Sequence, residues 1–455
     1  MAVSETTNDE GWSKNTIDME YTLGIYTLGC KVNQYESEAI AEAAENAGFV
    51  IRDPAEVCDV YIINTCTVTG ESDRKSRQFI RRAIAENPLA TVIVTGCLTQ
   101  VSADSVASIA GVDYICGCRD KLRTVDAALR LVGRRKPSHP IVEVDDLGGA
   151  DFENMSIKSF PRTRAYIKIE DGCESNCTYC IIPRARGGIR SKPAADVLAE
   201  IARLKEGGCR EVVLTGIETA AYGREFADGY RLGELLVDID KIAGDDMRIR
   251  ISSLDPSLFR QEFVDKISGL RSLVPHFHLS MQSGSSSVLA RMKRRYNAEM
   301  ALEGIGRIKA AMPGVQFTCD MIVGFPGETD EEFSETLEFM KKVGFLDAHI
   351  FSYSRRAGTP AAVMPGQVAP QTKHERSAKL ISAQKEITAK ILDGMTGQTV
   401  RVLFEARDGE LFTGHTASFV EVGVKSDKDL HATYADVKIT GRQDMLCLGE
   451  LISGR

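Results

Sequence analysis

The sequence predicts an α/β protein in three parts: an amino-terminal doubly wound parallel sheet, a central partial (βα)6 barrel and a carboxyl-terminal small antiparallel β-barrel. Three observations carry this. From residue 21 to about 132, short β-branched runs alternate with helical patterns, which implies βαβ units around a parallel sheet. Six further units follow in about 200 residues, enough for a partial barrel with its reactive groups on the loops at the carboxyl ends of the strands. From residue 397 the runs become short, alternating and parted by Gly and Asp, the pattern of a small antiparallel barrel.

In the first domain GIYTL, DVYIINT, ATVIVTG and VDYI are the strands, and helices are expected at 33–48, 71–86 and 121–131. GRRKPSHP, VDDLGGAD and FPRTR then break the rhythm and read as an interdomain linker. The barrel strands are AYIKIE, EVVLTGI, MRIRISSL, HFHLSMQ, QFTCDMIVGF and AHIFSYS, with helices at 194–206, 232–242, 258–268, 298–311 and 330–343. A long charged helix at 371–395 closes this region, and QTVRVLFEA, ELFTGHTA, FVEVGVK, ATYADVKITG and MLCLGELI build the last one. The expected boundaries are a disordered arm at 1–20, a first domain at 21–135, a linker at 136–163, the barrel at 164–395 and the small barrel at 396–455.

A chain of 455 residues buries a large core without disulfide staples, yet this one has 12 cysteines. The polar amino terminus lacks a basic stretch followed by an apolar one, and no run of about 18 apolar residues occurs. Secretion and membrane spanning are therefore excluded as leading readings, and a cytoplasmic location is expected. Thiols in that setting are metal ligands, catalytic groups or buried fillers rather than disulfide partners. The net charge of −8 excludes a uniformly basic coat for nucleic acid but leaves room for local patches.

Cys173, Cys177 and Cys180 lie in DGCESNCTYCIIPRARGG at the end of the first barrel strand. Structural zinc takes four ligands and iron-sulfur clusters are held by four cysteines, but no fourth Cys or His is nearby. Three thiolates leave one iron of a cluster open to a substrate, which is how a metal centre becomes catalytic. A zinc site completed from elsewhere and a redox-sensitive loop are the blander readings.

A second set, Cys30, Cys66 and Cys97, stands at the ends of successive strands of the first domain, 36 and 31 residues apart. Equivalent strand ends of a doubly wound sheet open onto one crevice, so distant cysteines converge there, each ahead of a helix whose dipole favours a thiolate. Cys116 and Cys118 at a fourth strand end are either a fourth ligand or bystanders. Cys58, Cys209, Cys319 and Cys447 read as fillers of apolar runs.

The CxxxCxxC loop at the start of a partial βα barrel resembles the radical S-adenosylmethionine superfamily. That resemblance implies a 4Fe-4S cluster on Cys173, Cys177 and Cys180 whose open iron chelates S-adenosylmethionine and whose reduction releases a 5'-deoxyadenosyl radical. It also implies cofactor contacts at the strand ends: Thr215, Gly216 and Glu218, then Ser252 and Ser253, then Gln282 and Ser283. VGFPGET, with Gly324, Gly327 and Glu328, looks like the superfamily's adenine-side motif.

With its second cysteine set and terminal barrel, the chain from Tyr21 to Ile452 resembles the methylthiotransferases, whose last domain is of the TRAM type. TLGCKVNQYESEAI, NTCTVT, GCLTQ and CTYCIIPRARGGIRSKP look most like the branch acting on N6-threonylcarbamoyladenosine beside the anticodon of tRNA. Other branches act on isopentenyladenosine in tRNA or on a ribosomal-protein aspartate. The resemblance implies a second 4Fe-4S cluster on Cys30, Cys66 and Cys97, two S-adenosylmethionine per turnover, a tRNA substrate, an external flavodoxin-like or ferredoxin-like electron donor, and no membrane. A competing reading of a different class is a non-catalytic iron-sulfur protein that binds RNA or transfers electrons.

For the RNA, residues 158–195 carry Lys158, Arg162, Arg164, Lys168, Arg184, Arg186, Arg190 and Lys192 against three acids. Arg184, Arg186, Arg190 and Lys192, with Arg355 and Arg356, are the expected phosphate contacts, because they flank the predicted reactive loop. Two more basic groups, Arg291 with Lys293, Arg294 and Arg295, and Arg74 with Lys75, Arg77, Arg81 and Arg82, are weaker candidates. The terminal barrel has seven basic and nine acidic residues over 397–455, so it would hold RNA through a minority basic face or by shape. No GxSxG, P-loop or HExxH pattern offers another catalyst.

Overall fold

The computed structural model describes residues 20–149, 151–158, 160 and 163–452. All of the expected arm except Glu20 lies outside the described residues, as does Arg162. The first domain runs β1 (Thr22–Thr27), α1 (Lys31–Asn46), β2 (Val50–Arg52), β3 (Val60–Thr65), α2 (Gly70–Glu86), β4 (Thr91–Gly96), α3 (Cys97–Ala107), β5 (Tyr114–Cys116), α4 (Arg123–Leu131) and β6 (Ile141–Glu143). Its sheet has the order β2-β1-β3-β4-β5-β6 with every pair parallel. Helices cover both faces, so every residue of β3 and β4 is buried. Strand order reverses between β1 and β3, and at such a switch point the carboxyl ends of the strands border a crevice.

Two differences from expectation stand out here. The segment read as linker supplies the edge strand β6, with Tyr114 opposite Ile141. It is three residues long, and its Ile141 and Val142 remain exposed, so no alternation marks it. Helix α3, absent from the expected elements, is short and kinked at Ser102 (φ −148°, ψ 53°), which erases its period.

The barrel runs β7 (Arg164–Lys168), β8 (Glu170–Asp171), α5 (Ile182–Arg186), β9 (Arg190–Ser191), α6 (Ala194–Glu206), β10 (Glu211–Thr215), α7 (Leu232–Ala243), β11 (Arg248–Leu254) and α8 (Gln261–Ile267). It continues with β12 (Leu273–Gln282), α9 (Ser286–Arg291), α10 (Ala298–Ala311), β13 (Gln316–Val323), α11 (Asp330–Val343), β14 (Asp347–Ser352) and α12 (Pro370–Asp393). Six parallel strands in the order β7-β10-β11-β12-β13-β14 form the open barrel, while β8 and β9 pair separately. Phe277, Leu279 and Met281 of β12 and Phe317, Cys319 and Met321 of β13 join the large core under the helices. Strand alternation then turns His276, His278, Thr318 and Asp320 to the opposite, inner face.

The last domain runs β15 (Thr399–Asp408), β16 (Leu411–Thr416), β17 (Glu421–Lys425), β18 (Tyr434–Gln443) and β19 (Leu446–Leu451). It closes in the order β15-β16-β17-β19-β18, antiparallel except for the parallel pair β17 and β19. Phe419 docks it on the larger barrel, its ring stacked between His276 and His415 at 4.6 and 4.7 Å. Arg248 donates to the carbonyls of His415 (3.1 Å) and Arg401 (2.9 Å), and Arg164 pairs with Glu405. No described helix is long and apolar enough to cross a membrane.

Candidate active site

The loop from β8 to α5 presents Cys173, Cys177 and Cys180. Gly172 lets the loop leave the strand: at φ +90° its Cβ position lies 1.9 Å from the Gly188 carbonyl oxygen, so only glycine fits. Asn176 takes φ +50°, and Thr178 is pinned from the far side by the Met292 and Arg291 carbonyls at 3.1 and 3.0 Å. Arg294 donates to Cys177 Sγ (3.3 Å) and pairs with Asp255 (2.9 Å). Cys173 Sγ lies 3.0 Å from Glu218 Oε2; burial and that carboxylate push the thiol well up. Metal binding at Cys173 therefore has to work against a raised thiol pKa.

Cys30 caps α1, Cys66 follows β3 and Cys97 opens α3, so the three strand-end thiols converge on the crevice at the switch point. Gly29 (φ +97°) leaves no room for a side chain, its Cβ position being 2.8 Å from Cys66 Sγ. Burial and the neighbouring Cys97 push the Cys66 thiol up to about 11. Cys97 goes the other way, down to about 6: the Cys118 thiol donates to it at 4.0 Å, and Arg186 and Lys121 add positive charge against the effect of burial. Arg186 Nε is 3.3 Å from Cys97 Sγ.

Neither set is drawn together as tightly as a single tetrahedral ion requires. Tetrahedral zinc with bonds of about 2.3 Å would hold its sulfurs about 3.8 Å apart. Among the described residues, the one group of three His, Cys, Asp or Glu donors within 4.8 Å of one another is His278, Asp320 and His349, so neither cysteine set closes that tightly. Cys118 packs with Cys97 and Ala185, whereas Cys116 turns into the opposite core layer with Leu23 and Ile40.

Arg186 also corrects an expectation. Placed by sequence on the RNA, it is fully buried and bridges the domains: Nη1 to Glu36 (2.6 Å) and Asp171 (3.2 Å), Nη2 to Asn33 (2.6 Å). Lys168 meets Glu36 at 2.9 Å and Asp171 at 3.4 Å, and Lys121 also pairs with Glu36. Four cations, Arg186, Lys168, Lys121 and Arg190, face two carboxylates, with Cys97 beside Arg186. This network is absent from the sequence reading, although Asn33 and Glu36 are polar residues on the buried stripe of α1, a signal in plain view.

Lys192 likewise cannot reach phosphate; it is buried on Glu200, the Met155 carbonyl (2.7 Å) and Tyr35 (3.2 Å). Arg190 turns back to the Arg186 carbonyl (2.9 Å) and Asp171 (3.5 Å). Arg356 ties the barrel to the first domain through Asp73 (3.0 Å) and Thr67 (2.7 Å). Burying a charge requires a partner, and these four have found theirs within the protein. Arg184 and Arg355 remain exposed, as do Lys75, Arg81 and Arg82 on α2.

The strand-end residues divide in the same way. Gly216 sits on buried Glu170, its Cβ position 2.7 Å from Oε2, and Glu170 accepts the Glu218 N–H at 2.7 Å. Burial and the Asp171 and Glu218 charges push the Glu170 carboxyl well above the ordinary carboxylate range. Thr215 and Ser252 share a hydrogen bond at 3.3 Å, Ser253 is half-buried, and Gln282 ends β12 at φ +65°. The Ser283 hydroxyl, however, meets Thr336 of α11 at 3.1 Å, and the Gly324 N–H is engaged by Glu328 at 2.7 Å.

Comparison with known proteins agrees with this architecture. Residues 167–340 match the Radical SAM superfamily, and residues 22–117 match Uncharacterized protein family UPF0004. The chain is 38% identical to the threonylcarbamoyladenosine tRNA methylthiotransferase MtaB of Bacillus subtilis, over 92% of this chain and 93% of that one. It is 32% identical to the tRNA-2-methylthio-N(6)-dimethylallyladenosine synthase of Acetivibrio thermocellus, over 91% and 88%. In fold it is similar to the radical S-adenosylmethionine methyltransferase TsrM from Kitasatospora setae, with a TM-score of 0.54, 17% identity, and 76% and 77% of the two chains covered.

Proposed function

The chain belongs to the radical S-adenosylmethionine methylthiotransferase family, and from that premise we propose that it replaces the C2 hydrogen of N6-threonylcarbamoyladenosine beside the tRNA anticodon with a methylthio group. The observation that carries the reading is the coupling of two thiol sets. Six residues after Cys180, at the end of α5, Arg186 touches Cys97, and its buried ion pairs lock the loop of one site to the crevice of the other. An electron-transfer protein has no need of an open three-thiol loop beside a second such set.

Cys173, Cys177 and Cys180 would hold one 4Fe-4S cluster and Cys30, Cys66 and Cys97 a second. Bound there with S-adenosylmethionine, these groups would supply the 5'-deoxyadenosyl radical, the sulfur and, from a second S-adenosylmethionine, the methyl group; an aryl C–H offers no leaving group for acid-base chemistry, so cofactors must carry the step. The protein's own residues position and protect. Arg294 places a cation on Cys177, and Glu170 orients the turn that carries Glu218. The buried Glu36, Asp171, Lys168 and Arg186 network ties the first domain to the barrel. Arg184 and Arg355 are exposed cations of the barrel fit to meet RNA phosphate.

Mass spectrometry of tRNA nucleosides from a strain lacking the gene tests the substrate: N6-threonylcarbamoyladenosine should accumulate at the expense of its 2-methylthio form. Accumulation of isopentenyladenosine would instead assign the related branch. Absence of 5'-deoxyadenosine from anaerobic protein given reductant and S-adenosylmethionine would overturn the enzyme reading altogether.

A further inference from the structure

The inner face of the open barrel holds titratable groups that neither thiol site uses. His278, Asp320 and His349 stand side by side on β12, β13 and β14. Asp320 Oδ2 is 3.2 Å from His278 Nε2, and its Oδ1 is 3.2 Å from His349 Nδ1. Thr318 Oγ1 holds the other nitrogen of His278 at 2.8 Å. One carboxylate thus fixes two rings and leaves the outer nitrogen of His349 unpartnered among the described residues, on a side chain 61% exposed.

Lys31, the residue after Cys30, is exposed, and its charge acts on the same groups. It is within electrostatic range of Asp320, His349, Arg250, Arg164 and Glu211, yet among the described residues it forms no ion pair or hydrogen bond. The two arginines pair with Glu211, at 2.9 and 2.8 Å. What remains is an ammonium outside any ion pair among the described residues and the outer edge of an imidazole whose inner nitrogen sits on Asp320, beside a residue of the strand-end thiol set. Two histidines and a carboxylate are also donors for a divalent metal, but both Asp320 oxygens already serve the rings and Lys31 adds positive charge.

We propose that Lys31 and His349 form the receptor for a carboxylate carried on the N6 appendage of the substrate adenosine, and thereby select a threonylcarbamoyl group over an apolar prenyl group. The inference rests on the substrate reading above and names the residues that enforce it. A carboxylate here gains charge-assisted hydrogen bonds. A prenyl chain would strip water from Lys31, His349 and Asp320 and return no hydrogen bond.

The test is anaerobic binding by the reconstituted full chain of three anticodon stem-loop RNAs. One bears N6-threonylcarbamoyladenosine, one an analogue in which the threonine carboxylate is reduced to the alcohol, and one isopentenyladenosine. Wild type should bind the carboxylate RNA about 10- to 100-fold more tightly than the alcohol analogue, the range for a hydrogen-bonded charged group. Lys31→Met and His349→Gln should each remove most of that ratio while leaving affinity for the alcohol RNA unchanged, and Lys31→Arg should restore part of it. Iron content of each variant separates cluster loss next to Cys30 from loss of recognition, and His349 lies on a different element. An unchanged ratio, or an equal loss for both RNAs, overturns the receptor. So does weaker S-adenosylmethionine binding by Lys31→Met without RNA, which would assign the ammonium to that carboxylate, or stoichiometric zinc or manganese that Asp320→Asn abolishes. A wild-type preference for the isopentenyladenosine RNA would instead sink the substrate reading itself.

Discussion

The two thiol sites reach the same donor count by opposite routes. Cys173, Cys177 and Cys180 lie within eight residues of one loop, where burial and the Glu218 carboxylate push the Cys173 thiol up. Cys30, Cys66 and Cys97 come from three strand ends, and the Cys118 thiol together with a buried guanidinium lowers Cys97 toward the thiolate. A contiguous loop can form its site almost locally and let the metal drive deprotonation. A dispersed site exists only once the sheet, α5 and their ion pairs are in place, so its electrostatics are set in advance.

The largest effect expected from that contrast is loss of activity. Replacing Cys173, Cys177 and Cys180 together by alanine should abolish 5'-deoxyadenosine formation and halve bound iron and sulfide, from roughly eight to roughly four of each per chain. Iron that falls to zero would mean the dispersed site cannot load alone, which would break the comparison. Next comes Arg186→Met. Removing one member of a fully buried ion network leaves uncompensated charge and should lower stability by about 3–5 kcal/mol in denaturant titration, with the second cluster lost and the loop cluster retained. A variant as stable as wild type would mean Glu36 and Asp171 are not charged there.

A pH series on the metal-free protein sharpens the electrostatic half. The folded pKa of Cys97, about 6, lies below the ordinary thiol value of about 8.5. Its stabilising contribution is therefore present above pH of about 8.5 and lost as pH falls through about 6, up to about 3 kcal/mol in all. Wild type minus Cys97→Ala stability should rise between those limits, with no such rise for Cys173→Ala; a flat difference for Cys97 would refute the thiolate assignment. The smallest effect separates two neighbours. Cys118→Ala should raise the Cys97 pKa, read from thiolate absorbance, whereas Cys116→Ala should leave it unchanged and cost only about 1 kcal/mol of packing. Equal shifts would return both cysteines to one class.

How much was legible follows from the same contrast. The barrel strands, their helices and the loop thiols obey local rules: period 2, period 3.6 and a short spacing. Three helices, at 194–206, 298–311 and 330–343, fall where their patterns put them. The convergence of Cys30, Cys66 and Cys97 was legible because strand ends of a parallel sheet share one edge. Strand β6 and helix α3 were not, being too short or too kinked to show a period. The basic residues around the loop misled for a physical reason: charge density in sequence does not reveal whether a cation meets water or a buried carboxylate. Arg186, Arg190, Lys192 and Arg356 all meet protein groups.

By itself the sequence determined the three-part α/β architecture, the two cysteine sets and the resemblance that links them, because each is written in spacing and period. Only the tertiary structure decided which charges are buried, that Cys118 and not Cys116 belongs beside Cys97, and that Lys31 comes within electrostatic range of Asp320 and His349 without an ion pair among the described residues. Those properties depend on which surfaces exclude water, and desolvation is a property of the packed chain rather than of any stretch of it.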